Sequence, residues 1–221
     1  MKRFVFAASL PILLLLNRCA PVFSEMQSAK LVKKGEVEAT GLYSNVGFTD
    51  EGNADHVQNH LGLRMSYGLS DKINLRFGYE NVFESGAESA HIIGVGPKIS
   101  ILENRIAAFI PLGTALGKDI STGDSWQIHP TALFTVPVTD NIEFNPSAKW
   151  LIPFNRDQEN LVALNFGAGL STDIDRWVVR PEIGLLYNPG NSGHYTHYSI
   201  GFTFYPLFQD DCCPQKLRRN R

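Results

Sequence analysis

The chain has 221 residues, room for one large all-β domain or two small ones. At 43% hydrophobic and 11% aromatic residues it is too apolar for a disordered protein. Its formal charge of −2, from 20 basic and 22 acidic residues, leaves no basic excess for a nucleic-acid partner.

The first element is an export signal over residues 1–24. Lys2-Arg3 precede an apolar run from Phe4 to Leu16 that is too short to cross a bilayer comfortably. Two processing sites stay open. Val22-Phe23-Ser24 suits ordinary cleavage before Glu25. Leu16-Asn17-Arg18-Cys19 suits a lipoprotein site with diacylation of Cys19, although Arg18 stands where that pattern has Gly, Ala or Ser. Ordinary cleavage removes Lys2, Arg3 and Arg18 and no acid, so the formal charge of −2 falls by three to −5. No other run approaches the ~20 apolar residues of a membrane helix.

From Lys34 onward one pattern repeats ten times, at about 35–48, 57–69, 73–82, 91–102, 105–116, 126–138, 141–152, 161–172, 176–188 and 197–206. Each segment alternates apolar with polar or small residues, the period of a β-strand exposed differently on its two faces. In the second, Leu61, Leu63, Met65, Tyr67 and Leu69 oppose His60, Gly62, Arg64, Ser66 and Gly68. In the seventh, Ile142, Phe144, Ala148, Trp150 and Ile152 oppose Glu143, Asn145, Ser147 and Lys149. The first and fifth alternate poorly. Pro97, Pro130, Pro146 and Pro181 fall inside segments, and proline removes a ladder donor, so each calls for a bulge or a place near the rim.

The connections alternate in length. Short ones fall at Ser70–Lys72, Glu103–Asn104, Thr139–Asn141 and Asp173–Asp175, and long ones at 49–56, 83–90, 117–125, 153–160 and 189–196. Four short turns at one end and five polar loops at the other is the asymmetry of a bacterial outer-membrane barrel, with short turns toward the periplasm. The fold expected is all-β, an antiparallel up-and-down transmembrane barrel of about ten strands over residues 25–208, followed by a polar tail, 209–221.

The apolar face could meet lipid, or it could line the core of a soluble barrel or sandwich. Glycines crowd the polar face, as a narrow lumen requires. Tyr43, Tyr79, Trp126, Trp150 and Tyr187 lie toward the long loops, and Tyr67, Trp177 and Phe204 toward the short turns, like two interfacial girdles.

The phrases YGLSDKINLRFGYE and VPVTDNIEFNPSAKW resemble the strand–turn–strand repeats of bacterial outer-membrane β-barrel proteins. The stretch SIGFTFYPLF is similar to the aromatic terminal strand that the barrel-assembly machinery recognises in that group, and CAPVFSEMQSAKLVKKGEVE looks like the start of small barrels of the lipoprotein type. The resemblance implies an outer-membrane location and that machinery as a partner during biogenesis. The tail after the terminal aromatic departs from the group's pattern.

The polar face places Glu38, Arg64, Arg76, Glu80, Lys98, Glu143, Lys149, Arg180 and Glu182 in the lumen as a charge network. Four acids against five bases suit a structural plug network or the lining of a gated path. No catalytic motif emerges. His56 and His60, were both in the strand, would stand ~13 Å apart, too far to share a metal. His194 and His197 are placed in the last loop. With Asp50 and Asp55 they could gather at the rim, as acidic and His residues do in the ten-stranded omptin outer-membrane proteases, but no motif matches residue by residue. Cys212 and Cys213 are adjacent in the tail and read as incidental. The expected role is structural or small-solute passage in the bacterial outer membrane, with membrane lipid as partner, without cofactor, nucleic acid or enzymatic activity. Alternatives are an enzyme or adhesin acting through the long loops, and a soluble barrel holding an apolar ligand.

Overall fold

The computed structural model describes residues 24–84, 89–118, 120–190 and 192–206. The export signal up to Phe23, with Cys19, and the tail 209–221, with Cys212 and Cys213, lie outside the described residues. Among the described residues there are ten antiparallel strands and no helix. They are β1 (Val37–Asp50), β2 (Asn53–Ser70), β3 (Ile73–Phe83), β4 (Ala90–Leu102) and β5 (Ile106–Phe109 continued by Leu112–Leu116). The chain continues through β6 (Gln127–Ile128, Thr131–Phe134 and Val136–Thr139), β7 (Ile142–Pro153), β8 (Leu161–Leu170), β9 (Trp177–Tyr187) and β10 (His194–Phe204). Each strand pairs with its sequence neighbours, and β10 pairs with β1 from Ala39↔Phe204 to Thr49↔His194. The sheet is therefore a closed barrel with no free edge.

The alternation resolves in one direction. On β2, Leu61, Leu63, Met65, Tyr67 and Leu69 face outward, while His60, Arg64 and Ser66 are buried inside. Phe77, Phe144, Phe166, Ile183, Ile200 and Phe202 continue the outward belt around the wall. Trp177 stacks on Phe202 with ring centroids 6.1 Å apart, and Phe144 on Phe166 at 6.4 Å, all on that outer surface. This is a soluble barrel turned inside out, so the soluble reading with an apolar interior is overturned. Leu63 lies on β2 between Tyr67 and the Tyr43–Asn59 hydrogen bond of 2.8 Å, the aromatic positions that flank the belt. Leu63→Arg is expected to lower unfolding free energy in lipid vesicles by about 2–4 kcal/mol, against about 1 or less for Asp55→Arg on the exposed hairpin.

Three expectations on the connections and prolines need correction. The first long connection, 49–56, is a tight turn at Glu51-Gly52, with φ of 48° and 85°, and β1 and β2 pair right up to it at Asp50↔Asn53. Beyond the apolar belt both faces of a hairpin can meet water, so the loss of alternation at Asn53–His56 marks the end of the belt rather than the end of the strand. The last strand likewise begins at His194, three residues before the position expected.

The prolines do not need the rim. Pro97, Pro146 and Pro181 sit within continuous strands opposite Leu75, Phe166 and Ile200. Only Pro130, with Pro111 on the neighbouring strand, stands at a break in a strand. The carbonyls of Pro97, Pro111 and Pro130 accept hydrogen bonds from Ile110, His129 and Trp150 N–H at 2.9–3.0 Å. Each proline forfeits a donor but keeps its acceptor, so the ladder runs on across β4 to β7.

Candidate functional site

The inward parity of the strands gathers all nine charges of the expected network inside the barrel. Glu38, Arg64, Arg76, Glu80, Lys98, Glu143, Lys149, Arg180 and Glu182 are each no more than 6% exposed. Burial of this many ions is tolerable only if they are paired. Arg76 donates to Glu38 at 2.6 Å and to Ser66 Oγ at 2.9 Å. Arg64 pairs with Glu80, which also lies 2.8 Å from His60 Nδ1. Arg180 reaches Glu143 at 3.0 Å and Thr203 Oγ1 at 3.1 Å. Glycine makes room for these side chains: a Cβ on Gly169, directly opposite Glu143, would stand 2.7 Å from its Cγ.

The remaining partners come from a segment that the sequence gives no role. Residues 24–36 form no wall strand. The chain turns at Gly35, φ +83°, and runs back up the lumen. Ser24, Glu25, Met26, Gln27, Ser28 and Ala29 are all buried. At the base, Gly35 N–H donates to Gly68 O at 2.9 Å and Gly68 N–H to Glu36 O at 3.0 Å. Higher up, Lys30 Nζ lies 2.8 Å from Glu143, while Lys98 Nζ donates to Lys30 O at 2.6 Å. Ala29 N–H donates to Thr135 Oγ1 at 2.7 Å. At the tip, Glu25 pairs with Lys149 at 2.6 Å, and its carbonyl accepts from Arg64 at 2.7 Å. Both Glu25 N–H and Met26 N–H donate to the Glu182 carboxylate, each at 2.8 Å.

This plug has a physical reason. About eight strands are just filled by their own side chains, and ten leave a wider bore. Here one extended segment fills it. Toward the short-turn end, Ala29 packs with Ala107, Phe109 and Leu133. Toward the loop end, Val46, Leu151, Ala163 and Leu186 form one apolar cluster, and Val82, Ile92 and Ala115 another. Beside the plug tip lies a cavity of about 50 Å³, lined by residues including Glu25, Arg64, Arg76, Pro111, His129 and Lys149. That is space for a few waters and not for a solute path.

Two of the four histidines expected near the rim, His60 and His197, lie inside the barrel instead. His197, expected in a loop, is buried on β10 between Ser199 Oγ at 2.7 Å and Asn165 at 3.0 Å. His60 sits in the lumen on Glu80, and His56 contacts Asn45 and Asn59 at 3.2 Å on the exposed hairpin. Among the described residues no group of three His, Cys, Asp or Glu could hold a metal ion. Sequence reasoning missed His60, His197, Glu25 and Lys30 as lumen residues. The parity of His60 and His197 with Arg64 and Ser199 carried a signal, whereas Glu25 and Lys30 stood in a stretch indistinguishable from a polar linker.

No protein-family model matches the chain, and no curated protein does either. Among solved structures, the chain is similar to an outer membrane channel from Pseudomonas putida F1, at 11% identity and a TM-score of 0.49, over 80% of this chain and 98% of that one. It is also similar to Ail, the attachment invasion locus protein of Yersinia pestis, at 14% identity and a TM-score of 0.36, covering 78% and 98%. The KdgM porin is a third, at 8% identity and 0.43, covering 76% and 98%.

Proposed function

We propose that this protein is a bacterial outer-membrane barrel whose lumen is closed at rest by its own N-terminal segment, and which passes small solutes when that segment is displaced. The outward apolar belt between two aromatic levels suits lipid as its solvent. The short turns then face the periplasm, and β10 offers the terminal aromatic strand to the assembly machinery. The reading includes no catalytic step and no cofactor.

The observation that carries it is the form of the plug. It is a non-strand segment, joined by main-chain hydrogen bonds to the wall at Gly35 and Glu36 and held higher up by ion pairs and hydrogen bonds to wall side chains. It can leave without unzipping any wall strand. With it gone, the bore is lined by Arg64, Arg76, Lys98, Lys149 and Arg180 against Glu38, Glu80, Glu143 and Glu182, a small cationic excess that favours anions. In planar bilayers the full chain is expected to be silent or to open rarely, and deletion of residues 27–33 to give steady, discrete, weakly anion-selective channels. A deletion variant as silent as the full chain would leave only the structural role.

A further inference from the structure

The tip of the plug shows an unusual anion site. Glu182 is buried, and each of its oxygens accepts a neutral backbone N–H, from Glu25 and from Met26. Glu25, Glu38, Glu80 and Glu143 each have a lysine or arginine within 3.0 Å. Glu182 has none within ion-pair distance among the described residues, and its nearest basic side chain is His197, 3.9 Å away. A buried carboxylate held by amides alone is a poor electrostatic arrangement, and a positive charge at either nitrogen would correct it.

We infer that cleavage between Ser24 and Glu25 supplies this charge, so that the new α-ammonium of Glu25 takes Glu182 as its counter-ion and the mature N-terminus becomes the tip of the plug. The motif Val22-Phe23-Ser24 carries the small residues that a signal endopeptidase requires. In the step, water adds across the amide: its hydroxyl goes to the Ser24 carbonyl carbon, and the Glu25 nitrogen leaves and is protonated to the ammonium. The nitrogen that was an amide donor 2.8 Å from Glu182 becomes a charged one in the same place. Because Ser24 is buried in the folded barrel, cleavage precedes seating of the plug.

The same geometry works against lipidation of Cys19. Ser24 is only five positions beyond Cys19, a reach of about 18 Å at full extension. Half of a hydrocarbon core is already about 15 Å, and a closed wall stands between the lumen and lipid. A diacylated Cys19 would have to reach the rim and pass over the wall within that length, which works against seating the plug at the same time. This inference rests on the plug being seated and not on solute passage, so bilayer conductance and the chemistry of the N-terminus can fail separately.

The test uses full-length protein exported and extracted from outer membranes. N-terminal sequencing and intact mass are expected to give a chain beginning at Glu25 without acyl groups. An amine-acylating reagent is then expected to label the Glu25 α-amine about tenfold or more slowly in the folded barrel than after heat unfolding, because a buried, paired ammonium is shielded. Glu182→Gln is expected to lose much of that protection. A diacylated Cys19 or any other first residue overturns the proposal. So does a Glu25 amine that labels equally fast folded and unfolded, or one that is as protected in folded Glu182→Gln as in the unsubstituted protein. Should Glu182→Gln fail to fold, the folded-against-unfolded comparison of the unsubstituted protein still decides.

Discussion

Glu143→Ala is expected to lower unfolding free energy by about 3–5 kcal/mol, because it strips a buried carboxylate from two cations at once. Glu143 holds Arg180 at 3.0 Å and Lys30 at 2.8 Å, so it ties wall to wall and wall to plug. After the substitution Arg180 keeps only neutral hydrogen-bond partners, Thr203 and Tyr205, at 3.1 and 3.2 Å. Lys30, whose side chain is one-third exposed, can turn to water, so the larger share of the loss falls on Arg180. Glu143→Gln retains an acceptor of the same shape and should lose less. Urea unfolding in vesicles, followed by tryptophan fluorescence, measures both. A loss below about 1 kcal/mol for the alanine variant would show that the network is weakly coupled.

Gly68→Val is expected to unseat the plug and leave the barrel intact. A Cβ on Gly68 would fall on the backbone of Lys33, 2.7 Å from its carbonyl carbon, and 3.0 Å from Val32 O. Neither backbone group can swing aside, and the paired hydrogen bonds of Gly68 with Gly35 and Glu36 hold them there. Valine itself suits a strand, so the wall keeps its ladder. Cutting by trypsin at Lys30 or Lys33 is expected to speed up by about 100-fold or more, equivalent to about 3 kcal/mol of lost docking. Gly41→Val is the control, since a Cβ there meets nothing within 4 Å. Equal protection of the two variants would place the plug's anchor elsewhere.

The second prediction, and the Lys30 share of the first, turn on a part of the molecule that local sequence pattern could not reveal. The ten segments were legible because alternation with period two is a local property, and one polar partner in two is enough to fix a strand's faces. Arg64, Arg76 and Glu80 could be assigned to the lumen for the same reason: once Leu63, Phe77 and Tyr79 face out, their neighbours face in. Boundaries failed where the solvent changes. At Asn53–His56 the hairpin has left the apolar belt, alternation no longer reports pairing, and the tight Glu51-Gly52 turn hid inside what read as a loop. Prolines misled for a related reason. Sequence shows the donor that each one lacks, but the carbonyl of Pro97, Pro111 or Pro130 finds its partner only on the next strand.

The amino-acid sequence by itself determined the strand count and which side chains share a face, because these follow from neighbours along the chain, whereas the closed wall decided that the charged face is the inner one. Tertiary structure decided which charges pair, since Arg180 meets Glu143 across 37 residues. It also decided that residues 24–36 enter the bore. A polar segment ahead of the first strand has no periodicity to declare its place. Only a closed ten-stranded wall creates an interior wide enough for one chain, with Glu182, Glu143 and Gly68 positioned to receive it.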